Sequence, residues 1–441
     1  MSLLNQNVDP ASMQTAAGYP EIKSINTKFE FSQEEIETLR MLASRMAEIA
    51  EMQEMKDKAL LWQKHNDLQT DEPLVFIDPE NGWNEIIKPE SLVSKDPLAR
   101  VWEMFLRKQI YWAENMRDDK VIENYFDVPY SYSDDGWGLE LGKSGGDDGG
   151  AYIVEQAIQD YEQDLPKLHY PRITIDYSES DKVMELAHNV FDGILKIRRK
   201  NTWWWTLGMC WDFVNIRGLE SFMCDMILEP ENFHAVMSVL CDGKLKMLDF
   251  LEENDLLALN TEGTYVGSGG FGFTKDLPRA NFDGHVTTKD MWGFVDAQET
   301  VSVSPANYAE FILPYHKRIA ERFGINCYGC CEGYDTRWEY VKTLPRLRRV
   351  SCSPWANWAT VPDYLGKNYI ASVKPSPSPL AMPNMNEEYI REECKRAVEQ
   401  TKGGICEFIM KDNHTLGGNP RNATRWVEIM REEIDRVYHN G

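Results

Sequence analysis

The chain has no apolar run approaching the roughly 18 to 20 residues that a membrane span requires. Its N-terminus, MSLLNQNVDPASMQTAAGYPEI, lacks the basic-then-apolar pattern of a secretory signal. A soluble, cytoplasmic protein is therefore expected. Positive charge is also scarce: 47 Lys and Arg face 71 Asp and Glu, a net −24. Nucleic-acid binders hold phosphates with clustered Lys and Arg, so that class is not expected. The nine cysteines are an odd number and two are adjacent, Cys330 and Cys331. A disulfide framework is not expected from such a set, and reduced thiols are. No G-x-x-x-x-G-K-[ST] occurs, and no G-x-G-x-x-G joins a strand to a helix. YVGSGGFGFTKDLP (265–278) comes nearest, but no helix follows it, and a pocket wall or lid is the expectation there.

What is present suits a globular core: 441 residues, 42% hydrophobic and 11% aromatic. Residues 1–27 are polar and aperiodic and read as a flexible leader. SQEEIETLRMLASRMAEIAEMQEMKDKALLWQKH, from Ser32, predicts a long helix or helix pair with a Ser cap and Glu in its first turn. DPLARVWEMFLRKQIYWAENM predicts another, with Pro97 in the first turn where its missing N–H costs nothing. Residues 28–120 are thus expected to form a helical N-terminal extension. The Gly- and Asp-rich stretch 133–152 reads as an exposed loop.

Short apolar runs then alternate with helical patterns: TWWWTLG (202–208), LLALNTEG (256–263), MWGFVDAQE (291–299), INCYGCCE (325–332), RRVSCSPW (348–355), YIASVKPSP (369–377) and GICEFIMKDNH (404–414). This rhythm predicts an α/β fold with a parallel sheet covered on both faces. An additional strand at 125–133, or at 172–177 in its place, would close a (β/α)8 barrel over 121–441.

Working residues of such barrels lie at the C-terminal strand ends. Those ends carry Glu262, Gln298, Glu299, Cys330, Cys331, Glu332, Cys352, Lys374, Asp412 and His414. Thiolate, imidazole and carboxylate all suit Zn2+, and a catalytic zinc uses three protein ligands and an open position. Cys330, Cys331, Glu332 and His414 are the candidate metal ligands, with Cys352 in reserve. Buried Cys is equally at home as a small hydrophobe, with Glu332 in an ordinary ion pair. Asp412 could orient the His414 imidazole. The fourteen Trp include Trp203, Trp204, Trp205, Trp292 and Trp355 near strand ends. Beyond core packing, they suit a flat aromatic or cationic ligand.

The segments IRGLESFMCDMILEPENFHAVM, LNTEGTYVGSGGFGFT, MWGFVDAQETVSVSPANYAEFILPY, NCYGCCEGYDTRWEYVKTLPRLRRVSCSPWANW and FIMKDNHTLGGNPRNATRW resemble the uroporphyrinogen decarboxylase-like superfamily, and within it the corrinoid-dependent methyltransferases, including the substrate-side components of O-demethylase systems. The resemblance implies a barrel whose funnel takes a small methylated substrate and meets a separate corrinoid protein. It also implies a zinc, held in the methylamine and methanol branches by a His-x-Cys pair and a later Cys. Here Tyr328 stands at the His position, Cys330 matches the Cys, the last ligand falls near His414, and Glu332 is a candidate replacement. A homodimer is compatible with it. The Arg-rich N-terminal stretch with which true uroporphyrinogen decarboxylases grip carboxylates has no counterpart.

The expected activity is methyl transfer from a methoxylated aromatic to the Co(I) corrinoid of a partner, the leaving heteroatom being polarised by zinc or an acid. Glu332, His414 and Glu299 are the expected catalytic residues, and Glu262, Tyr265, Trp205, Trp292 and Lys374 the expected substrate-positioning ones. A decarboxylase-type lyase acting on a cyclic or aromatic carboxylate, and a non-catalytic binding barrel, are the alternatives.

Overall fold

The computed structural model describes residues 9–12, 21–145 and 152–439. Most of the expected leader and the middle of the Gly-rich stretch lie outside the described residues. The described pieces of the leader are packed rather than loose: Ala11 and Ile22 are buried, and Asp9 pairs with Arg100.

The centre is a six-stranded parallel sheet. Its strands are β1 (Leu74–Ile77), β4 (Trp292–Val295), β5 (Ile325–Tyr328), β6 (Leu347–Cys352), β7 (Ile370–Val373) and β8 (Ile405–Met410), in the spatial order β1-β8-β7-β6-β5-β4. β1, β7 and β8 are buried at every residue, as strands covered on both faces must be. Two more strands, β2 (Tyr125–Val128) and β3 (Lys196–Arg199), form a separate parallel pair. Helices α1 (Gln33–Ala50), α2 (Gln53–Asn66), α3 (Pro97–Tyr111), α4 (Tyr177–Phe191), α5 (Pro230–Glu253), α6 (Glu387–Thr401) and α7 (Arg421–Ile434) accompany them. Among the described residues no helix is long and apolar enough to cross a membrane.

Local signals set the helix starts. Ser32 and Glu35 form a reciprocal capping box on α1. The Asp96 carboxylate accepts from Leu98 N–H at 2.9 Å, with Pro97 first in α3. The stretch after Ser32 is a helix pair, broken between Ala50 and Gln53.

Three strand expectations change. β1 lies within 28–120, the stretch expected to be helical, and pairs with β8 in the main sheet. LVFI is too short to show a period, and it is flanked by long helical patterns. Residues 202–208 and 256–263 form no strand but run beside β4. Leu207 N–H donates to the Phe294 carbonyl at 3.0 Å, while the Asn260 side chain takes both the N–H and the C=O of Trp292. An amide side chain there replaces a backbone ladder. Of the two rivals for an extra strand, 125–128 pairs with β3, and 173–176 pairs antiparallel with 131–134. Part of the stretch read as a loop is therefore strand.

On one face of the sheet runs a buried polar network. The Arg349 guanidinium pairs with Glu407 at 3.0 Å and Asn66 Oδ1 at 2.6 Å, and Ser372 Oγ donates to Glu407 at 2.5 Å. Against it packs a two-rung hairpin, Tyr265–Val266 with Gly270–Phe271. A Cβ on Gly270 would stand 2.5 Å from the Arg349 guanidinium, so only glycine admits this approach.

Candidate functional site

A cavity of about 750 Å3 opens at the C-terminal ends of the strands. β1 sends Asp78 and Glu80 into its wall, β3 Arg198 and Lys200, the loop after β5 Cys330 and Cys331, and the loop after β8 Lys411 and Asp412. The hairpin strip Gly263–Tyr265 and Ser268 closes another side. Aromatic rings of Trp83, Trp112, Tyr125, Tyr130 and Trp205 supply apolar wall.

Of the residues expected from sequence, Gln298, Cys330, Cys331, Asp412, Tyr265 and Trp205 reach this cavity. Tyr265 Oη donates to Asp78 Oδ2 at 3.0 Å. Trp205 stands edge-on to Phe294. Glu262 lies behind the wall and holds two cations that line it, Arg198 at 2.7 Å and Lys200 at 2.5 Å. Burial pushes the Glu262 carboxyl up, but Lys200 and Arg198 outweigh this and keep it below the ordinary range.

Other expected residues stand elsewhere. Trp292 is 1% exposed, donates Nε1–H to the Gly272 carbonyl at 3.0 Å and packs under Arg349. Lys374 is buried, with Nζ 2.8 Å from Ser372 Oγ, and burial lowers its ammonium to about 8. His414 is exposed, its Nδ1 3.5 Å from the Asn81 amide. Cys352 is buried within β6.

Glu332 is fully buried, and its two oxygens serve the backbone. Oε1 accepts from Ala297 N–H at 2.7 Å and Oε2 from Cys330 N–H at 2.9 Å. It thereby ties the loop after β5 to the loop after β4. Asp296 and Glu299 are close to it: burial first, and these neighbouring carboxyls second, push Asp296 well up, and burial takes Glu299 to about 7.

The donor set does not fit zinc. Among the described residues no group of three or more His, Cys, Asp and Glu side chains could hold a metal ion. His414 faces outward, and Glu332 is committed to two amides. Cys330 and Cys331 Sγ atoms stand 3.7 Å apart. Their contact raises Cys330 and lowers Cys331, the more exposed of the two. One nucleophilic sulfur beside a thiol is the chemistry of this pair.

Several cavity residues were not read from the sequence: Asp78, Glu80, Lys120, Glu123, Arg198, Lys200 and Lys411. Burial lifts Glu80 to about 7, with Asp78 and Asp412 adding to it and Lys411 opposing. Burial also raises Glu123 and lowers Lys120, whose Nζ lies 4.4 Å over the Phe271 ring. The signal that marks Glu80 is D-P-E-N-G directly after the apolar LVFI, a strand followed by turn residues.

No family model and no curated protein matches this chain. Among solved structures, a methyltransferase from Methanosarcina mazei is similar with a TM-score of 0.39 and 11% identity, over 68% of this chain and 76% of that one.

Proposed function

We propose that the chain is a methyltransferase of the corrinoid-dependent kind, taking a methyl group from a small methylated molecule, best a methoxylated aromatic, in the strand-end cavity. The observation that carries this reading is the cavity itself. Its volume is that of a small-molecule site. Its wall pairs aromatic rings with acids and bases brought close to neutrality by burial, the groups a proton-assisted transfer needs.

The fold proposed for it is a (β/α)8 barrel of the uroporphyrinogen decarboxylase-like type. The six parallel strands of the main sheet and the parallel β2–β3 pair support this reading. Asp119 bridges the first seam, exchanging hydrogen bonds with Val75, and Leu207 the second, bonding to β4.

Since the donor set does not suit zinc, the leaving heteroatom is polarised by a proton. A reduced corrinoid, carried by a partner protein, would supply the nucleophile for the methyl carbon. Phenoxide leaves more readily than alkoxide, which favours an aryl methyl ether between the tryptophan and tyrosine rings. The reaction belongs to the cytoplasm, where thiols such as Cys331 stay reduced.

Lys108 and Lys120 on the cavity wall favour a second reading, decarboxylation of an aromatic carboxylate. Anaerobic incubation with methoxylated aromatics and Co(I) cobalamin decides between them. Methyl transfer yields a phenol; a lyase instead releases CO2 from the carboxylate.

A further inference from the structure

Two loops on neighbouring strands are sewn together at one corner of the cavity. Asp78 N–H continues the β1–β8 ladder to the Met410 carbonyl at 2.8 Å. The Asn413 side-chain amide donates to the Asp78 carbonyl at 2.8 Å, and Gly82 N–H donates to the Asn413 carbonyl at 3.3 Å. In this stitch Glu80 and Asp412 both adopt the left-handed backbone region, at φ 47° and 60°. A non-glycine residue there is strained and persists only where its surroundings impose it. The Glu80 N–H is held by Asp78 Oδ1 at 3.0 Å.

Glu80 lines the cavity beside Asp412, and the Asp412 backbone N–H and Lys411 work against the rise that burial imposes on its carboxyl. The titratable groups facing it are Asp78 and Asp412, both acidic, Tyr265 of the hairpin, and Lys411, whose Nζ is already 2.8 Å from Asp412. Lys411 is engaged with Asp412, Lys108 and Lys120 stand on the same wall facing Asp78, and burial outweighs the cations at the Glu80 carboxyl. The group is thus kept as a neutral acid near neutral pH and gives up its proton there.

We propose that Glu80 is the catalytic acid of the cavity, donating its proton to the heteroatom that leaves as the substrate loses its methyl group. This assignment rests on the methyl-transfer reading. The C–O bond of the ether breaks with its electron pair on oxygen, and the Glu80 proton joins that oxygen to give a phenol. Glu80 is left as a carboxylate, to be reprotonated from water. The methyl carbon gains its new bond from the electron pair of the co-reactant, a reduced corrinoid.

Two measurements on the full chain test this. The first is an infrared titration of the carboxyl C=O band in the native protein and in Glu80→Gln. A protonated-carboxyl band with a midpoint near 7 that Glu80→Gln lacks supports the assignment. An identical band in both proteins overturns it, Glu299 providing the internal reference.

The second measurement is the rate of methyl loss across ring-substituted methoxybenzenes with Co(I) cobalamin. Glu80→Gln is expected to lose about 100- to 10,000-fold on donors with poor leaving groups and far less on nitro-activated ones. Glu80→Asp should recover part of the rate. An equal loss across the series overturns the acid role. A native protein inactive on every donor sinks methyl transfer instead, and the infrared band still reports whether Glu80 is held neutral.

Discussion

Glu80 and Asp412 meet across the β1–β8 seam, each in the left-handed backbone region, in two loops joined by the Asn413 side chain on the Asp78 carbonyl. Neither residue belongs to the sheet, yet the sheet sets both. The ladder continues to Asp78 and Met410, and the turns that follow bring Glu80 and Asp412 to the cavity wall.

If that corner is strained, backbone-tolerant and backbone-intolerant substitutions at position 412 should diverge. Asp412→Val, branched at Cβ, should lose about 1 to 2 kcal/mol of stability, and Asp412→Gly should lose little or gain up to about 1 kcal/mol. Urea unfolding measures both, and equal effects would argue against strain.

Glu299 titrates with the opposite sign to most carboxylates. Its value in the folded chain is raised from 4.5 to about 7, so its stabilising contribution is complete below 4.5 and is lost as pH climbs through about 7. Glu299→Gln should therefore be less sensitive to pH than the native chain between those limits. Denaturant midpoints at several pH values check this, and parallel curves would contradict it.

Cys331 should be the fast thiol. Cys330 first, with Lys411 adding to it, lowers Cys331 against its own burial, whereas burial raises the interior cysteines such as Cys352 and Cys406. Iodoacetamide at neutral pH should label Cys331 on the order of 10-fold faster than the exposed Cys224. Lys411→Met should slow it. Peptide mass spectrometry over time reads the order, and Cys224 reacting first would refute it.

Zinc should be absent or far below one per chain, and chelation should leave the thermal midpoint where it was. Elemental analysis with a melting curve tests this. Stoichiometric zinc whose removal lowers the midpoint would restore the ligand set read from the sequence.

Much of the α/β rhythm was legible because strands such as GICEFIM and YIASV are bounded by glycine, proline or charge. Ser32 and Asp96 likewise announced their helices by chemistry that acts within four residues. β1 was hidden because four apolar residues carry no period. The strand-end rule drew attention to Cys330 and Cys331, which line the cavity. It could not tell that Glu332, next in line, would turn back to cap Ala297 and Cys330, because that depends on where the β4 loop passes. Glu80 was missed for a related reason: its importance comes from Asp412, more than three hundred residues away in sequence, and from a backbone conformation that no composition reveals.

The most direct test is a single anaerobic reaction: native chain, Co(I) cobalamin and a methoxylated aromatic, followed by quantifying the phenol and the methylated cobalamin. Methyl transfer through an acid-bearing cavity predicts equal amounts of both products, and almost none of either from Glu80→Gln. A native chain that forms neither product while releasing CO2 from an aromatic carboxylate would contradict it.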